Sequence, residues 1–222
     1  VSRPYEVITF DCYGTLVDWE RGLREAFARA AAAAGRTLDP AAVLALYHEI
    51  EPVVQAEAYR SYRTVLAETA RRVAGRLGWP LDAAGAAFLP ESLPAWPAFP
   101  DTNAALERLA RAGYVLGILS NVDDDLLAAT RRHFTVDFAI VVTAQQAGSY
   151  KPAAGHFLIA RERVAGRPWL HAAQSYFHDI VPAVAHGIPA AWINRKGEAP
   201  AGGARPLREL GTLADLAGWL AP

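Results

Sequence analysis

An aspartate closing an apolar run is the first residue with evident chemical potential. Glu6–Val7–Ile8–Thr9–Phe10 leads into Asp11–Cys12–Tyr13–Gly14–Thr15–Leu16. An acid at the tip of a buried strand is desolvated and held by the loop that follows, and Gly14 lets that loop turn tightly. Such a carboxylate suits a nucleophile that forms a covalent ester or acyl phosphate. It also suits an aspartate that merely caps the next turn. Three further polar groups follow apolar runs: Ser120–Asn121, Lys151 within Tyr150–Lys151–Pro152, and Gln174–Ser175–Tyr176–Phe177–His178–Asp179. Each has a plainer reading. Asn121 could cap the next helix, Lys151 could be solvated, and Asp179 could be a helix N-cap. His178 is a pocket residue or proton carrier, or else a structural histidine beside Asp179.

The elements that must position these groups alternate. Strand-like runs lie at 6–10, 114–119, 138–142, 169–173 and 190–193, separated by helical segments near 101–112, 123–133, 153–165, 180–186 and 212–220. This pattern predicts an α/β fold, a Rossmann-like parallel sheet covered on both faces. Residues 20–95 hold almost nothing strand-like. The stretch 20–34 is helical, Asp39–Pro40 opens a second helix, and Pro52 is expected to end or kink it. Apolar steps of three and four predict an amphipathic helix over 53–77. The expected organisation is a core of 1–18 and 96–222, with a helical domain of 19–95 inserted after the first strand. Ligands of open parallel sheets bind at the carboxyl ends of the strands. Asp11, Ser120–Asn121, Lys151 and 174–179 all fall there.

Composition narrows the function classes. Among 222 residues, 22 Lys and Arg oppose 23 Asp and Glu, a formal net charge of −1 that argues against a nucleic-acid-binding surface. A 52% apolar content is ample for a core. The single cysteine, Cys12, excludes an internal disulfide framework and a cysteine-rich zinc site. It is expected to be a buried structural thiol. His133, His156, His171 and His186 have no metal-ligand spacing. Trp96, Trp169 and Trp219 suit packing, whereas Trp19 and Trp192 are within reach of the cleft. No apolar run is long enough to span a membrane, and a cytoplasmic location is expected.

Taken in order, the motifs resemble those of the haloacid dehalogenase superfamily. Asp11–Leu16 resembles its first motif, Leu119–Ser120–Asn121 its second, Tyr150–Lys151–Pro152 its third and Asp179 the last acid of its fourth. Gly187–Ile188–Pro189 and Trp192–Ile193–Asn194–Arg195 resemble the strand after it, and the helical insert matches the family's cap position. Two departures set the branch. Phosphatases of the superfamily carry a second aspartate where Tyr13 stands, and it protonates the leaving group. A phenol is a poor general acid, but a departing halide needs no proton. They also carry an acid, which helps to hold magnesium, where Gln174 stands. A neutral amide is a weak ligand for that ion. Both features resemble the L-2-haloacid dehalogenase branch, which uses no metal or other cofactor.

The resemblance implies a small organic acid as substrate. Asp11 displaces halide from the α-carbon, leaving an ester that water hydrolyses near Asp179 with help from Lys151. Thr15 fixes Asp11, while Tyr13, Ser120, Asn121, Gln174 and His178 line the substrate site. The branch grips the substrate carboxylate with a cap arginine. The expected position falls near His48, so Arg60 and Arg63, on about one face of the expected helix, are the candidates; they equally suit a solvated face. A homodimer is the family habit. The alternatives are a magnesium-dependent phosphohydrolase of a small phosphate ester and a non-catalytic scaffold that binds a small acid.

Overall fold

The computed structural model describes residues 3–222. Its centre is a six-stranded sheet, all parallel, in the order β3-β2-β1-β4-β5-β6. The strands are β1 (Val7–Phe10), β2 (Val115–Ser120), β3 (Ile140–Thr143), β4 (Trp169–Ala173), β5 (Ala190–Ile193) and β6 (Arg208–Leu210). Every residue of β1, β4 and β5 is buried. Strands covered on both faces read as continuous apolar runs, and these do. β6 was not expected. Its Arg208 and Glu209 are exposed and form no apolar run, so its pairing with β5 is imposed by the neighbour. A short, charged edge also discourages further strand addition.

The strand order reverses beside β1, which pairs with β2 on one side and β4 on the other. That reversal is the topological switch point, where a doubly wound sheet opens its ligand crevice. Asp11 follows β1 directly at this point.

By contact grouping, the chain forms two compact units. The α/β unit holds the residues up to Asp18 with Ala98–Asn121 and Arg131–Pro222, and the helical unit holds Trp19–Pro97 with Val122–Thr130. The expected division kept 96–97 and 122–130 with the sheet. The helical unit contains α1 (Trp19–Ala33), α2 (Pro40–Ala56) and α3 (Tyr62–Arg76). Asp39 caps α2 by accepting from the Ala41 and Ala42 amides. Pro52 does not end α2, which runs one further turn to Ala56.

The single helix expected over 53–77 is broken at 57–61, so Arg60 lies in the link between α2 and α3 and shares no helical face with Arg63. The cause is capping. Ser61 Oγ accepts from the Thr64 amide at 3.3 Å, and the Asp123 carboxylate accepts from the Tyr62 and Arg63 amides, each at 2.8 Å. Three of the four orphan donors of a helix start are thereby satisfied, which fixes α3 at Tyr62. The same bonds account for 122–130 joining the helical unit. Asp123→Ala should therefore lower unfolding stability by about 1–2 kcal/mol, measured as a fall in the urea midpoint with an unchanged slope.

Candidate active site

The loop after β1 is built around Gly14, whose φ of +103° is open to glycine and strained for other residues. The Cys12 carbonyl accepts from the Leu16 and Val17 amides, and Gly14 N–H donates to the Val17 carbonyl. This turn brings Thr15 back over Asp11. Thr15 Oγ1 donates to Asp11 Oδ2 at 3.0 Å and accepts from the Gln174 amide at 2.9 Å. Thr15 thus fixes one oxygen of Asp11 and ties the loop to the segment after β4.

The other Asp11 oxygen faces Lys151. The Lys151 side chain is 1% exposed, and its ammonium makes three hydrogen bonds. They run to Asp11 Oδ1 at 3.0 Å, the Leu119 carbonyl at 2.8 Å and Asp179 Oδ1 at 2.6 Å. An ammonium has three donors, and all are used. Asn121 secures the lysine backbone: its Oδ1 accepts from Lys151 N–H at 2.7 Å and its Nδ2 donates to the Lys151 carbonyl at 3.0 Å. The amide expected to face substrate, or to cap the next helix, thus clamps the Lys151 backbone.

Asp179 sits in a π-helical turn, Tyr176–Ile180, capped by Ser175, whose Oγ accepts from the His178 amide at 3.1 Å. Its Oδ1 meets Lys151 and also His171 Nε2 at 3.0 Å. The histidine on Asp179 is therefore His171 of β4, a residue with no expected role. His178 turns instead to Ser175 Oγ at 3.0 Å and is half-buried. Among the described residues, Asp179 Oδ2 and Ser120 Oγ are buried with no hydrogen-bond partner. Ser120 ends β2, and its carbonyl is held by His156 Nε2 at 3.0 Å.

The remaining expected residues are placed differently. Tyr13 is half-buried in the turn after Asp11. The Gln174 side chain donates to Glu198 at 3.3 Å, and the Gln174 backbone carbonyl accepts from Trp192 Nε1 at 2.8 Å. Trp192 is buried and packs edge-on against Tyr176, so it is a wall of the core and not a cleft residue. Cys12 is fully buried, and burial pushes its thiol pKa well up. In the helical unit, Arg60 pairs with Glu57 and Arg63 with Asp125 at 2.6 Å. His48 lies 3.6 Å from Glu20 and edge-on to Trp19.

The two acids are driven in opposite directions. Burial raises Asp11, Lys151 pulls it back and Asp179 raises it again, leaving it above the ordinary carboxylate value. Burial would also raise Asp179, but Lys151 and His171 outweigh it and hold the carboxyl at about 2. Burial would lower Lys151, yet the two carboxylates keep its pKa above the ordinary value. His156 is lowered to about 4, chiefly by burial and then by Lys151, and stays neutral.

Where the superfamily's phosphatases carry a second magnesium-binding acid, this site has the neutral amide of Gln174. The Lys151 ammonium takes up one oxygen of Asp11 and one of Asp179, and the Gln174 side chain donates to Glu198. Among the described residues, no three His, Cys, Asp or Glu side chains are grouped to hold a metal.

A family model described as haloacid dehalogenase-like hydrolase matches residues 5–169. The chain belongs to the haloacid dehalogenase-like hydrolases. A curated relative of this hydrolase, (S)-2-haloacid dehalogenase H-109 of Pseudomonas putida, is 27% identical over 98% of this chain and 99% of its own. A solved dehalogenase structure superposes with a TM-score of 0.86 at 22% identity, covering all of both chains. The L-2-haloacid dehalogenase of Xanthobacter autotrophicus with chloropropionic acid covalently bound gives a TM-score of 0.81 at 20% identity, covering 96% of this chain and 97% of its own. At these identities the two structures establish a shared fold. Among the described residues, no helix is long and apolar enough to cross a membrane.

Removing the shared cation has a pH signature. In Lys151→Met, Asp11 and Asp179 are left buried together without their shared cation, keeping only the neutral donor Thr15 and His171, so both carboxyls rise above their unfolded-state pKa values. Groups raised in the folded state favour folding at low pH and oppose it as pH rises. The variant should lose about 3–5 kcal/mol near pH 7.5. The deficit should shrink toward pH 5, as read from paired urea titrations.

Proposed function

We propose that this hydrolase is a dehalogenase of short 2-haloacids that works through an ester on Asp11 and needs no metal. The observation that carries the reading is the Lys151 ammonium held between Asp11 and Asp179, together with a phenol at position 13. Phosphoryl transfer needs charge on the phosphoryl oxygens neutralised and, for a poor leaving group, an acid. Here the local cation is already saturated, and position 13 has no carboxylic acid. Displacement of halide at a saturated carbon needs neither.

The first step forms a C–O bond from the Asp11 carboxylate to the α-carbon as the C–X bond breaks and halide leaves with the electron pair. The α-carbon inverts. Thr15 and Lys151 hold the two Asp11 oxygens and set the line of attack. In the second step, water attacks the Asp11 ester carbonyl. Asp179 takes the water proton through Oδ2, its oxygen without a protein partner. Collapse of the tetrahedral species breaks the bond between Cγ and the ester oxygen, the 2-hydroxyacid leaves with that oxygen and takes the proton from Asp179, and Asp11 releases the water's second proton to solvent to become a carboxylate again. Asp179, held low, stays ionised across the working pH range. Asp11 is the group whose protonation stops the first step.

Two measurements test this reading. Asp11→Asn should abolish halide release while the protein still unfolds cooperatively, and a single turnover in oxygen-18 water should put the label into Asp11. Label found only in the product would mean direct attack by water on the substrate. Turnover of 2-chloropropionate should also survive dialysis against EDTA, with p-nitrophenyl phosphate left uncleaved when magnesium is added. Magnesium-dependent phosphatase activity without halide release from any short haloacid would replace this reading.

A further inference from the structure

β4 carries a buried histidine for which the two-step reaction above has no chemical task. His171 is completely buried, and both its ring nitrogens are engaged. Nδ1 is 2.9 Å from Thr9 Oγ1, and Nε2 is 3.0 Å from Asp179 Oδ1. Trp169 Nε1 lies 2.7 Å from the same Thr9 oxygen. An indole N–H can only donate, so Thr9 accepts from it. The Asp179 carboxylate oxygen can likewise only accept, so His171 Nε2 carries the proton that faces it. This arrangement gives every polar atom of the run a partner. The Phe157 ring packs edge-on against His171 at 5.5 Å. The charged and titratable groups around the ring are Asp179, Lys151 and His156, with Asp11 beyond the lysine.

Asp179 therefore accepts two hydrogen bonds at Oδ1 and, among the described residues, none at Oδ2. Lys151 alone would let the carboxylate rotate about its Cβ–Cγ bond and exchange oxygens. A second donor, rigidly mounted in the sheet, removes that freedom. We propose that His171 is a positioning residue: backed by Thr9 and Trp169, it pins Asp179 Oδ1 so that Oδ2 alone faces the water that hydrolyses the Asp11 ester. The proposal rests on the ester mechanism above. It assigns to β4 the task of making one of two chemically equivalent oxygens the proton acceptor.

The test separates ester formation from ester decay. Wild type, His171→Leu, His171→Gln and Thr9→Val are mixed rapidly with 2-chloropropionate and quenched, and the Asp11 ester is followed by peptide mass. His171→Leu should slow decay about ten- to a hundredfold, the worth of a hydrogen bond to a charged group, with the halide burst nearly unchanged. The acid limb of the decay should move to higher pH, because Asp179 loses a donor. His171→Gln, which keeps an N–H in reach, should recover most of the rate. A folded His171→Leu with wild-type decay and an unmoved acid limb overturns the proposal. So does an equal loss of formation and decay that glutamine fails to rescue. If the leucine variant does not fold, Thr9→Val decides by the same readout, since it removes only the support at Nδ1. If no haloacid forms an ester, the dehalogenase reading fails separately. Carboxyl carbon-13 titration of Asp179 then decides the role of His171. An upward shift in the His171→Leu or Thr9→Val protein supports it, and no shift overturns it.

Discussion

One buried ammonium organises this site. Lys151 spends its three donors on the acid after β1, a carbonyl of β2 and the acid of the turn after β4. Three neighbouring strands thereby converge on a single positive charge at the point where the sheet order reverses. Two carboxylates could not share so dry a space without it, since each buried ion costs several kcal/mol unless paired. Most of the other polar contacts nearby serve this arrangement. Asn121 holds the lysine backbone, Thr15 fixes the far oxygen of Asp11, and Ser175 caps the turn that presents Asp179.

The same charge divides the labour between two identical functional groups. Asp11 has one ionic partner, and burial wins, so its carboxyl sits above the ordinary range. Asp179 has the lysine and a histidine, and burial loses. Pairs of carboxyls pushed apart in this way take different parts in a reaction. The asymmetry comes from His171, a second donor to Asp179, and from the charge of Asp179, which raises Asp11.

How much of this was legible depended on where each cause lies in the chain. β1, β4 and β5 were readable because strands covered on both faces must be apolar throughout, as Val7–Phe10 and Ala190–Ile193 are. Asp11, Thr15, Lys151 and Asp179 stood out by type and order, and the structure gathers their side chains within hydrogen-bonding reach. The break before α3 was not readable, because the carboxylate that caps it lies 61 residues further on. β6 was invisible because its pairing is dictated by β5 and not by its own residues. Asn121 was recognised as important, but its bond to the lysine backbone depends on a loop about thirty residues away. Metal-ligand spacing carries no signal for His171. Its signal was its address: a histidine inside an apolar strand must find partners for two nitrogens.

Thr9 and His171 are also direct neighbours across β1 and β4. Parallel apolar strands rich in similar residues offer few features that tell one alignment from the next. A slip by one residue would turn His171 to the opposite face and away from Thr9. The indole N–H, the hydroxyl and the imidazole would then be stranded in the dry interior, each at a cost of about 1–3 kcal/mol. The polar run through the sheet therefore acts as a key cut for one alignment. It brings the carboxyl end of β4, and the acid beyond it, level with Asp11.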